Sequence, residues 1–232
     1  MTMSDADSVP AYYELSAPMN FSSGQLHATI DPKNLDHGVL QRADLFVLRM
    51  IQDSWPQRPM YFARTSGGYA RSLGLGDNVL TQGLASKLFL PPSVGTPKDT
   101  VYLQGDGWLD VARSDSLWRH VFEGPQSVLN TGDWIDRPSV GIPYLYVATG
   151  LELAEALKSQ GKPAEAADIF NLSKRIATAV RLEDLLRGAE AEFQQAPVGD
   201  TARAAPLPGP PPAAKTDTLG KPGAKPPTPK KQ

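Results

Sequence analysis

Leu26, Ala28 and Ile30 alternate with polar neighbours over 25–30, a period of two that predicts a short strand stopped by Asp31-Pro32. From 40 to 55 the period changes. Leu40, Ala43, Val47, Met50, Ile51 and Trp55 recur at three- and four-residue spacing, and Phe46 and Leu48 widen the stripe. This predicts a helix covered on more than one side and ended by Pro56. The β-prone run 59–64, Pro-Met-Tyr-Phe-Ala-Arg, reads as a buried strand closed by Ser66-Gly67-Gly68. Next, Asp77 is placed to cap a helix in which Leu80, Leu84 and Leu88 stack, with Ala85 and Phe89 alongside and Pro91-Pro92 as the stop. Gly83 within that helix would cost roughly 1 kcal/mol relative to Ala, which implies a bend or a close neighbour.

Residues 100–104 read as a further strand, and Leu117, Trp118, Val121 and Phe122 as a two-turn helix ending at Gly124-Pro125. The last part of the body is the clearest. Pro143 opens a helix in which Tyr146, Val147, Gly150, Leu153, Ala154 and Leu157 keep helical spacing, and Gly161 ends it. Pro163 opens its neighbour, marked by Ala166, Ile169, Phe170, Ser173, Ile176 and Val180. The pair reads as an antiparallel hairpin. Leu182, Leu185, Leu186, Ala189 and Phe193 carry the pattern to about residue 195, with a bend at Gly188.

The hairpin is similar to a tetratricopeptide repeat, whose Leu-Gly, Tyr, Gly, Ala and Phe positions are taken here by Leu153-Ala154, Leu157, Gly161, Ala166 and Phe170. Ser173 stands where that repeat has Ala. A continuous repeat core needs about three units, and a single one is found. It therefore reads as a cap on the domain, with a peptide-binding groove as the alternative.

These elements make an α+β chain: a polar head over 1–10, an α+β domain over 11–140, a helical hairpin with its extension over 141–196, and a tail over 197–232. The tail holds 10 of the 22 prolines and no aromatic residue. Arg203 and Lys215, Lys221, Lys225, Lys230 and Lys231 outweigh Asp200 and Asp217 in it. So little apolar surface cannot offset about 1–2 kcal/mol per residue of ordering entropy, and disorder biased toward polyproline II is expected.

Composition narrows the chemistry. The 232 residues carry 23 basic and 25 acidic side chains, a net charge of −2, so no global basic field points to nucleic acid. The absence of Cys excludes disulfides, thiolate zinc sites, iron–sulfur clusters and a Cys nucleophile. The opening residues lack the apolar stretch of a signal peptide, and no run reaches the ~20 apolar residues of a membrane span. Direct insertion into a membrane is not expected.

Few residues invite chemistry. Of the three histidines, His37 lies near Asp31 and Asp36, but no pair has the spacing of a helical metal site, so neither metal nor cofactor is expected. Asp5-Ala6-Asp7 reads as solvated charge. In Asp106-Gly107-Trp108-Leu109-Asp110 two carboxylates flank an aromatic of the kind that stacks on sugars; the alternative is a turn around a packed Trp108. Arg58, Arg64 and Arg71 read either as an anion-binding cluster or as a solvated, ion-paired face. Gly74-Leu75-Gly76 lacks the third glycine of a dinucleotide loop.

A family resemblance is carried by Arg42-Ala43-Asp44-Leu45 and Val47-Leu48, then by Trp55-Pro56-Gln57-Arg58-Pro59-Met60-Tyr61-Phe62-Ala63. Leu73-Gly74-Leu75 and Gln82-Gly83-Leu84 with Leu88 follow in order. Over about residues 11–181 the chain resembles the soluble C-terminal region of a bacterial family of multi-pass membrane proteins related to the lumen-facing protein O-mannosyltransferases of animals. Members commonly have Glu where this chain has Gln82.

The resemblance implies an integral-membrane glycosyltransferase using a lipid-linked sugar, with its catalytic carboxylate in an early extramembrane loop. No catalytic residue carries over, and Trp55, Pro59, Tyr61, Phe62, Gly74, Leu75, Gln82, Gly83 and Leu84 are expected to be structural. The expected role is that of a non-catalytic accessory domain, positioning an acceptor or partner. Its partners would be the membrane portion of the same or an adjacent protein, and a protein or glycan acceptor. As part of a longer protein it would lie on the periplasmic face of the inner membrane; made as this chain it would be cytoplasmic. The alternatives are a free-standing interaction module and, more remotely, a soluble carbohydrate-active enzyme using Asp106 and Asp110.

Overall fold

The computed structural model describes residues 9–91, 98–103, 106–131 and 136–194. Most of the head, the tail, Asp5-Ala6-Asp7 and Gln104 lie outside the described residues. Leu26, Ala28 and Ile30 do share the inner side of a strand, β3 (Leu26–Ile30), paired antiparallel with β2 (Met19–Ser23). A second small ribbon pairs β1 (Tyr12–Glu14) with β4 (Val39–Gln41). Leu40 belongs to β4, and α1 begins just after it (Arg42–Ser54). The start of α1 is fixed by Asp44, which accepts the Gln41 N–H at 2.7 Å through one oxygen and the Tyr69 hydroxyl at 2.7 Å through the other. Burial and that carboxylate push the Tyr69 hydroxyl well above its ordinary pKa, so it stays a donor.

The main sheet has five strands in the order β5 (Tyr61–Ala63), β7 (Ala85–Leu88), β6 (Val79–Gln82), β9 (Gly107–Asp110), β8 (Thr100–Leu103). All neighbours are antiparallel except β6 and β9. Helices packed with this sheet give the α+β class.

The expected helix over 77–89 is a β-hairpin. The leucine spacing that suits a helix marks no face of the hairpin: Leu80 lies opposite Lys87, Leu88 lies opposite Val79 on the other face, and Leu84 sits in the turn. The inward face carries Thr81 and Ser86, whose hydroxyls meet at 3.1 Å and satisfy each other, and these polar core positions hid the strand period. Gly83, at φ +60°, forms the turn, and a Cβ there would lie 2.8 Å from the Phe122 ring. The strand expected over 59–64 is present but not buried. As β5 it is the sheet's edge, with Tyr61 exposed and Phe62 half-buried.

Beyond the sheet lie α2 (Tyr69–Ser72), α3 (Val111–His120), α4 (Gly124–Thr131), α5 (Gly141–Ser159), α6 (Pro163–Ala179) and α7 (Leu186–Gln194). Gly124-Pro125 opens α4 as well as following α3. The α5–α6 pair is the expected hairpin, reversing at Gly161. Its extension is not continuous. Arg181 adopts φ +58°, a turn at Glu183–Leu185 follows, and α7 folds back so that Phe193 stacks on Phe170 at 4.2 Å. The break is therefore at 180–185, and Gly188 sits within α7.

Two cores result. One gathers Leu26, Ile30, Leu40, Ile51, Leu73, Leu75 and Leu88, with Trp55 and Phe62 packed against it. The other joins Leu103, Leu109, Val111 and Trp118 to the helical hairpin. Strands β8 and β9 and helix α3 thus share their core with the hairpin, and the apolar packing does not divide at residue 140.

Candidate functional site

The residues singled out in the sequence fall in separate places. At the end of the sheet where β6 and β9 finish, Asp110 caps α3. Its Oδ1 accepts the Arg113 N–H at 2.9 Å and its Oδ2 accepts Gln82 Nε2 at 2.9 Å. Beside it the Gly83 N–H donates to Ser114 Oγ at 3.0 Å. Gln82 is therefore a donor to a helix-capping carboxylate, and Glu in its place would set two carboxylates against each other. Trp108 lies inside β9 rather than in a turn. Its indole is buried edge-on between Tyr102, at 5.2 Å, and Phe89, at 6.2 Å, which leaves it no open face for a sugar. Asp106 is exposed just before the strand.

The three arginines have different environments. Arg58 is exposed after α1. Arg64 donates to Glu152 of α5 in an ion pair with both side chains largely buried, tying the end of β5 to the helical hairpin. Burial pushes Glu152 up to about 7, outweighing the adjacent guanidinium, and the nearby carboxylates of Asp106 and Glu155 add to the rise. Arg71 stands on α2 at the rim of an open cleft.

That cleft, about 350 Å³, is lined by Arg71, Gly74, Gly76, Asp77, Tyr102 and Gly107. It lies at the opposite end of the sheet from Asp110, where β6 and β9 begin and β8 finishes. Leu73 and Leu75, on either side of Gly74, are fully buried. Gly74 between them has φ +72°, and a Cβ on it would stand 2.2 Å from the Thr29 carbonyl oxygen, so the backbone of β3 fits only against glycine. Leu73-Gly74-Leu75 is thus a packing motif that also shapes the cleft.

Among the residues that carry the resemblance, Trp55 and Phe62 pack on the first core, whereas Pro59 and Tyr61 are exposed. Leu84 is half-buried in the β6–β7 turn, where its carbonyl accepts the Arg64 N–H at 3.0 Å, and it is not part of that core.

Sequence reasoning missed Tyr102 and Glu152, and took Asp77 for a helix cap. A charge at Glu152 after the uncharged opening of α5 is the available signal for a buried partner. Tyr102 gives no local signal, because its exposure depends on Trp108 filling the space beside it. Among the described residues no group of His, Asp and Glu is arranged to hold a metal ion, and no helix is long and apolar enough to cross a membrane. Comparisons with protein-family models, with curated proteins and with solved structures each find no match.

Proposed function

We propose that this chain is a non-catalytic accessory module that positions an acceptor or partner for a membrane-embedded glycosyltransferase-like protein, on whose extramembrane face it sits. The observation that carries the non-catalytic part is the engagement of Asp110. Both its oxygens are held by a helix N-terminus and by Gln82, whereas a general base must turn an oxygen toward the acceptor hydroxyl. Arg64 is likewise occupied by Glu152. The glycosyltransferase setting rests on the resemblance over residues 11–181. In this role the module contributes by orientation, holding a reactant near a site supplied by other residues.

The test has two arms. The purified chain is assayed with lipid-linked mannose and candidate acceptors, and the matching region is deleted from the longer protein. The expected result is no turnover by the chain alone and loss of transfer after deletion at unchanged membrane-protein levels. Turnover that vanishes in Asp106→Asn or Asp110→Asn would instead make the chain a soluble carbohydrate-active enzyme. Full activity after deletion would remove the positioning role.

A second reading, a free-standing interaction module, draws support from Ile142 and Tyr144, which stand 59% and 44% exposed on the first turns of α5. An upstream reading frame without apolar 20-mers would favour it.

A further inference from the structure

The cleft beside α2, at the end of β8 and the start of β9, has the makings of a carbohydrate subsite, with an aromatic ring other than the one the sequence suggested. Trp108, the expected stacking ring, is buried. Tyr102 is its edge-on neighbour and is 45% exposed at the cleft wall. The Trp108 indole, braced in turn by Phe89, holds the tyrosine ring from one side and leaves the rest to solvent. A fixed, partly exposed aromatic ring is a platform for the C–H face of a pyranose, with its hydroxyl as a polar handle.

The remaining lining favours one class of ligand. Gly74, Gly76 and Gly107 place no side chain in the cleft, so a ligand meets backbone there. The Arg71 stem crosses Gly76, where an added Cβ would lie 3.3 Å from its Cγ. Arg71 and Asp77 supply one positive and one negative group, both exposed. A planar guanidinium donates to ligand oxygens and a carboxylate accepts from hydroxyls. Together they suit a neutral ligand carrying adjacent donors and acceptors. An anion would meet the Asp77 carboxylate, a cation would meet the Arg71 guanidinium, and an apolar ligand would take polar surface away from water. The volume of about 350 Å³ is at the small end of ligand clefts, roughly 300–1,000 Å³.

We infer that the Tyr102–Asp77–Arg71 cleft binds a neutral saccharide unit, with Tyr102 as the stacking platform. This rests on reading the chain as a positioning module and names what it would position: the glycan part of an acceptor.

The test is an amide NMR titration of the whole chain with mannose, mannobiose and chitobiose, with inorganic phosphate and glucosamine as charged probes. Saturable shifts are expected at the Gly74, Gly76 and Gly107 amides with a neutral sugar, in the millimolar range of a small open cleft. Tyr102→Ala should weaken binding about tenfold or more, whereas Tyr102→Phe, which keeps the ring, should stay within about threefold. Should Tyr102→Ala not fold, the exposed Asp77→Asn carries the test, with an expected loss of about fivefold or more.

No saturable shift with any neutral sugar, binding unchanged in Tyr102→Ala or Asp77→Asn, or phosphate bound more tightly than the sugars would each overturn the inference. The readout is binding by the isolated chain. A failed titration thus leaves the transfer and deletion assays to judge the positioning role, and their failure leaves a positive titration standing.

Discussion

The close approach of α5 and α6 at Gly150 can be tested as a thermodynamic cycle. Gly150 is buried in mid-helix, where Ala would ordinarily be favoured by about 1 kcal/mol. In this fold a Cβ on Gly150 would stand 2.1 Å from Ser173 Oγ and 3.1 Å from the Trp118 ring. Ser173 is fully buried and its hydroxyl donates to the Ile169 carbonyl at 2.9 Å, so it has little room to yield. Overpacking of this kind costs about 1–3 kcal/mol. Set against the helix-propensity gain, Gly150→Ala alone should be destabilising by up to about 2 kcal/mol.

Ser173→Ala removes the clashing atom and one intrahelical hydrogen bond, a change of about 1 kcal/mol at most. The double variant should then recover stability and show a coupling of at least about 1 kcal/mol between the two sites. Urea melts of the four proteins give the cycle directly, and thermal melts should move by about 2–4 °C per kcal/mol for a chain of this size. Coupling within about 0.5 kcal/mol of zero, together with a stabilising Gly150→Ala, would mean that the helices do not meet at these residues.

Two further outcomes follow from the same packing. Gly74→Ala meets both a backbone oxygen and a left-handed φ, and should cost more than about 2 kcal/mol in a denaturant melt; a loss under about 0.5 kcal/mol would refute the β3 contact. The Glu152 carboxyl, pushed up to about 7 in the fold, keeps its proton while the unfolded chain loses it near 4.5. Unfolding therefore releases a proton in this window, and stability should fall as pH rises from about 4.5 to about 7 and level off above. The fall from this group is at most about 3 kcal/mol. Glu152→Gln should flatten that slope, and an unchanged slope would assign it to other groups.

The period-two run at 25–30, the helix near 40–55 and the α5–α6 hairpin were legible because each repeats its apolar spacing over consecutive residues, with Pro or Gly at its ends. Local chemistry alone was enough there. Residues 77–89 were not legible, because Leu80, Leu84 and Leu88 keep a helical spacing along the chain, while the turn at Gly83 puts Leu80 and Leu88 on opposite faces of the hairpin. Only the packing of Gly83 under Phe122 and the mutual satisfaction of Thr81 and Ser86 decide for strands.

The candidate site divides in the same way. Sequence brought out Trp108, Asp110 and Arg71 as residue types capable of recognition. Which of them faces solvent depends on contacts between segments distant in the chain: Phe89 and Tyr102 bury Trp108, Gln82 occupies Asp110, and Glu152 occupies Arg64. Tyr102 gains its exposed ring only because β8 lies beside β9 at the edge of the sheet. Side-chain period is a property of neighbours along the chain, and sequence determined it. Exposure and partnership depend on neighbours in space, and the tertiary structure alone assigned those.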